Sequence, residues 1–112
     1  MVIAKNRSPL YERCLEIINF LDEKLYLPEN VTKKAVELLD KVMKDDEIRL
    51  KIQGRKPTSI AASLVYIAAN IESSWLTQRE IMEALEYQIT ETTIIKNYRY
   101  LLALMGMSNL IK

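Results

Sequence analysis

Residues 54–69 read Gly54-Arg55-Lys56-Pro57-Thr58-Ser59-Ile60-Ala61-Ala62-Ser63-Leu64-Val65-Tyr66-Ile67-Ala68-Ala69. The fold is decided here. Pro57 suits the first position of a helix, and the residues after it are apolar or small on nearly every face. A surface helix needs a polar side, so a helix lacking one must be surrounded by others, and its Ala and Ser residues let those neighbours approach closely. This segment predicts the central rod of an all-helical bundle.

Upstream, Leu10, Cys14, Ile17, Ile18, Leu21 and Leu25 follow the three-and-four spacing of one helix face, with Ser8 as N-cap and Pro9 at the first helical position. Pro28-Glu29-Asn30 interrupts this first helix. A second helix comes next, capped by Asn30 or Thr32, with Val31, Ala35, Leu38, Leu39 and Val42 inward and its end near Lys44 or Asp45. Residues 45–56 read as a charged connection. Its Arg49, Lys51, Arg55 and Lys56 are basic, and no acid follows Glu47 until Glu72, which makes it either a phosphate-contacting surface or a solvated linker.

Downstream, Thr77-Gln78-Arg79-Glu80 has the form of a capping box and starts a fourth helix with Ile81, Ala84 and Leu85 inward, stopping around Tyr87-Gln88. Thr90 caps a fifth helix with Ile94, Tyr98, Leu101 and Met105 on one face, and Gly106 ends it in a left-handed turn. Met107, Leu110 and Ile111 are expected to fold back on the bundle. Tyr66 and Tyr98 fall on apolar stripes and belong to the core, and Trp75 is expected to plug the core beside the fourth helix. The expected architecture is thus a five-helix, all-α bundle in a single domain covering residues 1–112.

Composition narrows the function. Of 112 residues, 49% are hydrophobic and 28% charged, with only two glycines, which suits a well-ordered globule. The net charge of +1 conceals an asymmetry: residues 1–47 carry eight basic and ten acidic side chains, residues 48–112 eight and five. The second half is the one suited to an anionic partner. With one cysteine and no histidine, a disulfide framework or a Cys/His zinc site cannot be assembled within the chain, and Cys14 is read as core. No Gly-rich phosphate loop or convergent carboxylate pair argues for an enzyme, and no cofactor is implied. The longest charge-free run, 57–71, is shorter than the roughly 20 residues that span a bilayer, so no membrane partner is expected and the chain is read as an intracellular monomer.

Two helices joined by a short turn, the second capped by Thr90, have the spacing that lets a second helix enter a DNA major groove. Three further segments extend the pattern: Gly54-Arg55-Lys56-Pro57-Thr58 with its apolar helix, Thr77-Gln78-Arg79-Glu80-Ile81, and Thr90-Glu91-Thr92-Thr93-Ile94 with Asn97-Tyr98-Arg99. In this order and spacing, across residues 9–105, they closely resemble the second cyclin-like repeat of archaeal transcription factor B and eukaryotic TFIIB. The resemblance implies a cyclin-like bundle whose last two helices bind double-stranded promoter DNA upstream of the TATA box, beside TATA-binding protein, with RNA polymerase as a further partner. It also implies a setting in an archaeal cell or its virus, or in a nucleus if the source is eukaryotic. Relatives carry a zinc ribbon and a first cyclin repeat as well, so the chain is expected to be a piece of a longer factor or a reduced relative.

The DNA-contacting candidates are Arg55, Lys56, Thr58, Arg79, Thr92, Thr93, Ile95, Lys96 and Arg99. Thr92 and Thr93 suit either phosphate or base donation or a local cap. Where the family pattern has an arginine that touches base edges, this sequence has Ile95, expected at the exposed edge of the helix. Isoleucine offers only apolar contact, such as to a thymine methyl, so the sequence preference is expected to be changed or lost. Gln88 occupies the turn position that relatives often fill with glycine. These departures favour the alternative of a cyclin-fold module binding TATA-binding protein or polymerase without sequence-specific readout.

Overall fold

Ser8 and Pro9 set the first boundary as expected. In a computed structural model describing residues 8–109, the Ser8 side chain accepts the Tyr11 amide at 3.2 Å and α1 runs Pro9–Leu25. The chain then turns through Tyr26, whose φ of 51° is left-handed, and the Leu27 amide bonds back to the Asp22 carbonyl.

Helix α2, Glu29–Lys44, starts without a side-chain cap. Asn30 and Thr32, expected as caps, lie inside it. The Pro28 carbonyl already accepts the amides of Val31 and Thr32, which frees both side chains for other elements. Thr32 Oγ1 donates to Asp22 Oδ1 at 3.0 Å and Asn30 Nδ2 to Glu72 Oε1 at 2.8 Å. With the Tyr11 hydroxyl donating to Asp40 at 2.7 Å, these bonds tie α1 to α2 and α2 to the end of the central helix.

The described residues form six helices rather than five, because the charged connection contains one. Helix α3, Asp46–Ile52, is capped by Asp45, which accepts the Ile48 amide at 3.1 Å, and it buries Ile48 and Ile52, four residues apart. Arg49 pairs with Asp46 at 2.7 Å and donates to the Met43 carbonyl, while Lys51 stands 3.8 Å from Glu47. Two of the four loop cations are therefore engaged within one short helix.

Helix α4, Pro57–Ile71, is the expected rod: Ser59 to Val65 and Ile67 to Ala69 are all buried. It touches α1, α2, α5 (Gln78–Ala84) and α6 (Glu91–Leu104). The buried Ser63 hydroxyl is satisfied by donating to the Ser59 carbonyl at 2.7 Å. Tyr66 is half-buried and Tyr98 buried, as expected of core residues. Cys14 is fully buried, and its thiol is pushed up to about 12 by desolvation, which the charge of Arg13 opposes.

Trp75 does not plug the core: it is 97% exposed. Its neighbour Leu76 takes the inward place, and in an irregular, extended stretch adjacent side chains point apart. After α6, Gly106 adopts φ 70° and the Met107 amide reaches the Leu102 carbonyl at 2.7 Å, folding Met107 onto the core. Leu110 and Ile111 lie outside the described residues. No helix among those described is long and apolar enough to cross a membrane.

Candidate nucleic-acid interface

The corner between α5 and α6 is built from local hydrogen bonds. Thr77 Oγ1 accepts the Glu80 amide at 3.1 Å while Glu80 Oε1 accepts the Thr77 amide at 2.9 Å, the reciprocal box the sequence predicts. Helix α5 stops earlier than expected, at Ala84. The left-handed residues that turn the chain are Glu86 (φ 53°) and Tyr87 (φ 63°), not Gln88. The Tyr87 amide closes this turn on the Met82 carbonyl at 2.9 Å. Thr90 then caps α6, its hydroxyl accepting the Thr93 amide at 3.1 Å.

Helix α6 has two distinct faces. Ile94, Asn97, Tyr98, Leu101 and Leu102 are buried, whereas Thr92, Lys96, Arg99 and Ala103, at four, three and four residue spacings, form an exposed stripe. No acid pairs with Lys96 or Arg99 among the described residues, so two cations and a hydroxyl stand free on one side of the helix. Ile95, expected at an exposed edge, is half-buried and packs against the core at the flank of this stripe.

The remaining candidates border the stripe in different states. Thr93 is half-buried with its hydroxyl 3.0 Å from that of Thr90, so it belongs to the cap. Arg79 is exposed but stands 3.3 Å from Glu83 and 4.0 Å from Glu91, across the corner. Lys56 is exposed and meets no acid among the described residues, and Thr58 is half-buried in the first turn of α4. Arg55 is turned inward: its Nη1 donates to Asn97 Oδ1 at 2.9 Å and its guanidinium lies 4.0 Å from the centre of the Tyr100 ring. Exposed ion pairs such as those of Arg79 contribute only about 0 to 1 kcal/mol and would exchange readily for a phosphate, whereas Lys56, Lys96 and Arg99 need not exchange anything.

Asn97 and Tyr100 have no place among the candidates read from sequence. Both are revealed as partners of Arg55, more than forty residues upstream, and no local pattern signals such a contact.

The family described as Transcription factor TFIIB repeat matches residues 8–103. The chain belongs to this family. Among similar proteins, the transcription initiation factor IIB of Pyrococcus abyssi is 30% identical over 109 residues, covering 94% of this chain and 34% of that protein. The factor of Pyrococcus furiosus is 31% identical over 103 residues (88% of this chain, 32% of that one). That of Methanopyrus kandleri is 36% identical over 84 residues (75% and 25%). The chain thus spans about a third of the length of the relatives it matches most fully. As a TFIIB repeat it has the cyclin-like helical fold that the resemblance implies, with α3 added to the five expected helices.

Proposed function

We propose that this chain is a DNA-binding domain of a transcription initiation factor of the TFIIB kind, docking α6 in the major groove of duplex promoter DNA upstream of the TATA box. The observation that carries the reading is the stripe Thr92, Lys96, Arg99 on α6, whose cations have no acid partner among the described residues. Lys56, on the loop that Arg55 joins to the same helix, extends this positive surface along the backbone. Arg79 and Thr93 border the groove-facing side, and Thr58 follows Lys56 in the first turn of α4. Ile95 meets bases only through apolar contact, so charge dominates affinity. TATA-binding protein and RNA polymerase are the protein partners this reading entails, in the compartment that holds the promoter.

Neutralising about three phosphates predicts a log–log salt slope of about −2.7 and a roughly fortyfold loss of affinity between about 50 and 200 mM salt. Titrating a fluorescent duplex across that range tests it. Lys96→Glu with Arg99→Glu should weaken binding to every duplex while leaving the helical signal intact; unchanged affinity removes the stripe from the interface.

The replacement of the family's arginine by Ile95 favours a second reading, a module that docks on TATA-binding protein or polymerase without base readout. Under it, partner affinity barely responds to salt and duplexes bind no better to this chain than to a protein of equal charge.

A further inference from the structure

We propose that Arg55 is a positioning residue for the reading face of α6, acting through Asn97 rather than on a DNA phosphate. The proposal rests on the DNA-binding reading above. Three contacts in series carry it. Arg55 Nη1 donates to Asn97 Oδ1 at 2.9 Å, the same guanidinium covers the Tyr100 ring at 4.0 Å, and Asn97 Nδ2 donates to the Thr93 carbonyl at 2.8 Å. The loop before α4 is thereby connected to the backbone of α6 one turn nearer its start, next to Thr92.

Asn97 and Tyr100 sit three residues apart on one flank of α6, so gripping both resists rotation of the helix about its own axis. With side-chain tips about 5 Å from that axis, a rotation of about 20° would move Thr92, Lys96 and Arg99 by about 2 Å, enough to lose hydrogen-bond register with base edges. Asn97 is only 7% exposed, so the charge-assisted bond to it is sheltered from water and correspondingly strong. Lysine would keep the charge but has neither the planar fork nor the stacking surface, and would not hold both partners at once. Tyr98, on the buried face of the helix, meets Tyr66 of α4 with ring centroids 4.9 Å apart and holds α6 against the rod. Arg55 adds the remaining restraint, on its angle.

The experiment uses the full chain and two readouts. The wild type first selects its preferred duplex from a random-sequence pool; affinities for that duplex and a scrambled one are then measured across a salt series for wild type, Arg55→Lys, Asn97→Ala and the double variant. Amide hydrogen exchange over Thr93 to Asn97 is followed in parallel. Positioning requires that Arg55→Lys keep the salt slope yet lower the preference for the selected duplex by at least about fivefold, the small end of one lost base contact. Asn97→Ala, which removes no charge, should reproduce that loss, and the double variant should lose no more than either single one. Exchange in the first turns of α6 should quicken while α1 and α2 stay protected. Unchanged preference or unchanged α6 exchange in Arg55→Lys overturns the proposal. A wild type that selects no duplex defeats the DNA-binding reading instead, and the exchange comparison alone then decides whether Arg55 holds the helix.

Discussion

The ring of Tyr98 on α6 meets that of Tyr66 on α4 with centroids 4.9 Å apart and planes tilted by 50°. This is the aromatic contact that seats the candidate recognition helix on the central rod. Tilted pairs at this distance contribute about 0.5 to 1.5 kcal/mol beyond the area they bury. Tyr98→Ala, which also leaves a cavity at a position only 3% exposed, is expected to destabilise the chain by about 3 to 5 kcal/mol, whereas Tyr98→Phe keeps the ring pair and stays near the parent. Urea unfolding of both variants checks this; an Ala variant within about 1 kcal/mol of wild type, on the order of a surface change, would mean the pair is not structural.

A second expectation concerns the turns. Tyr26, Ser73 and Glu86 all hold left-handed backbone at helix ends, a conformation that disfavours L side chains by about 1 to 2 kcal/mol. Glycine there removes the strain but gains entropy when unfolded, so Ser73→Gly and Glu86→Gly should each stabilise by a net amount of about 0.5 to 1 kcal/mol. Gly106→Ala is the mirror test. A Cβ at Gly106 meets nothing within 4 Å, so any loss of stability there, expected at about 1 kcal/mol, is backbone strain alone. Denaturant midpoints that move in the opposite directions would refute the argument.

Cys14 gives a pH dependence with a definite sign. Its folded thiol titrates near 12 against an ordinary value of 9.0, so the folded state holds its proton longer than the unfolded one. The resulting stability is complete below pH 9 and is lost as pH rises toward 12, at a slope of at most about 1.4 kcal/mol per pH unit. Cys14→Ala should flatten this part of the stability profile relative to wild type. Equal alkaline slopes in the two proteins would show that the thiol is not the group responsible.

Ile95→Arg tests the reading of the α6 flank. Ile95 is half-buried rather than fully exposed, so the arginine stem must lie along the surface with its head in water, at a cost of about 1 kcal/mol that the bundle should tolerate. On the DNA-binding reading the variant gains preference for guanine at the facing position by about 1 to 3 kcal/mol. Matched and mismatched duplexes compared at one salt concentration decide it. A variant that folds but shows no preference, while losing affinity for TATA-binding protein or polymerase, supports the protein-docking reading.

The long helices are legible in the sequence because each repeats its apolar residues over several turns, and Ser8, Thr77 and Thr90 all cap as their positions predict. Helix α3 is not, since seven residues offer one buried pair, Ile48 and Ile52, among charges that read equally well as a linker. Trp75 defeats the sequence reading because a large apolar residue outside any periodic segment gives no direction, and Leu76 beside it fills the inward place. The candidate interface is legible as a set of cations but not as a geometry. Ion pairing within α3 follows local three- and four-residue spacing once that helix is recognised, whereas pairing across the corner and the inward turn of Arg55 depend on contacts between elements that local sequence does not encode.

The burial of α4 on nearly every side has a consequence for cooperativity. Helices α1, α2, α5 and α6 all touch the same apolar rod, and α5 with α6 alone would expose Ile81, Ile94, Tyr98 and Leu101 to water. At roughly 1.5 to 3 kcal/mol per large side chain, that exposure exceeds what one helical corner can recover from its own backbone bonds. The α5–α6 corner and helices α1 and α2 are therefore one thermodynamic unit: they melt in a single transition, and a peptide excised from Thr77 to Gly106 is expected to hold no stable helical corner.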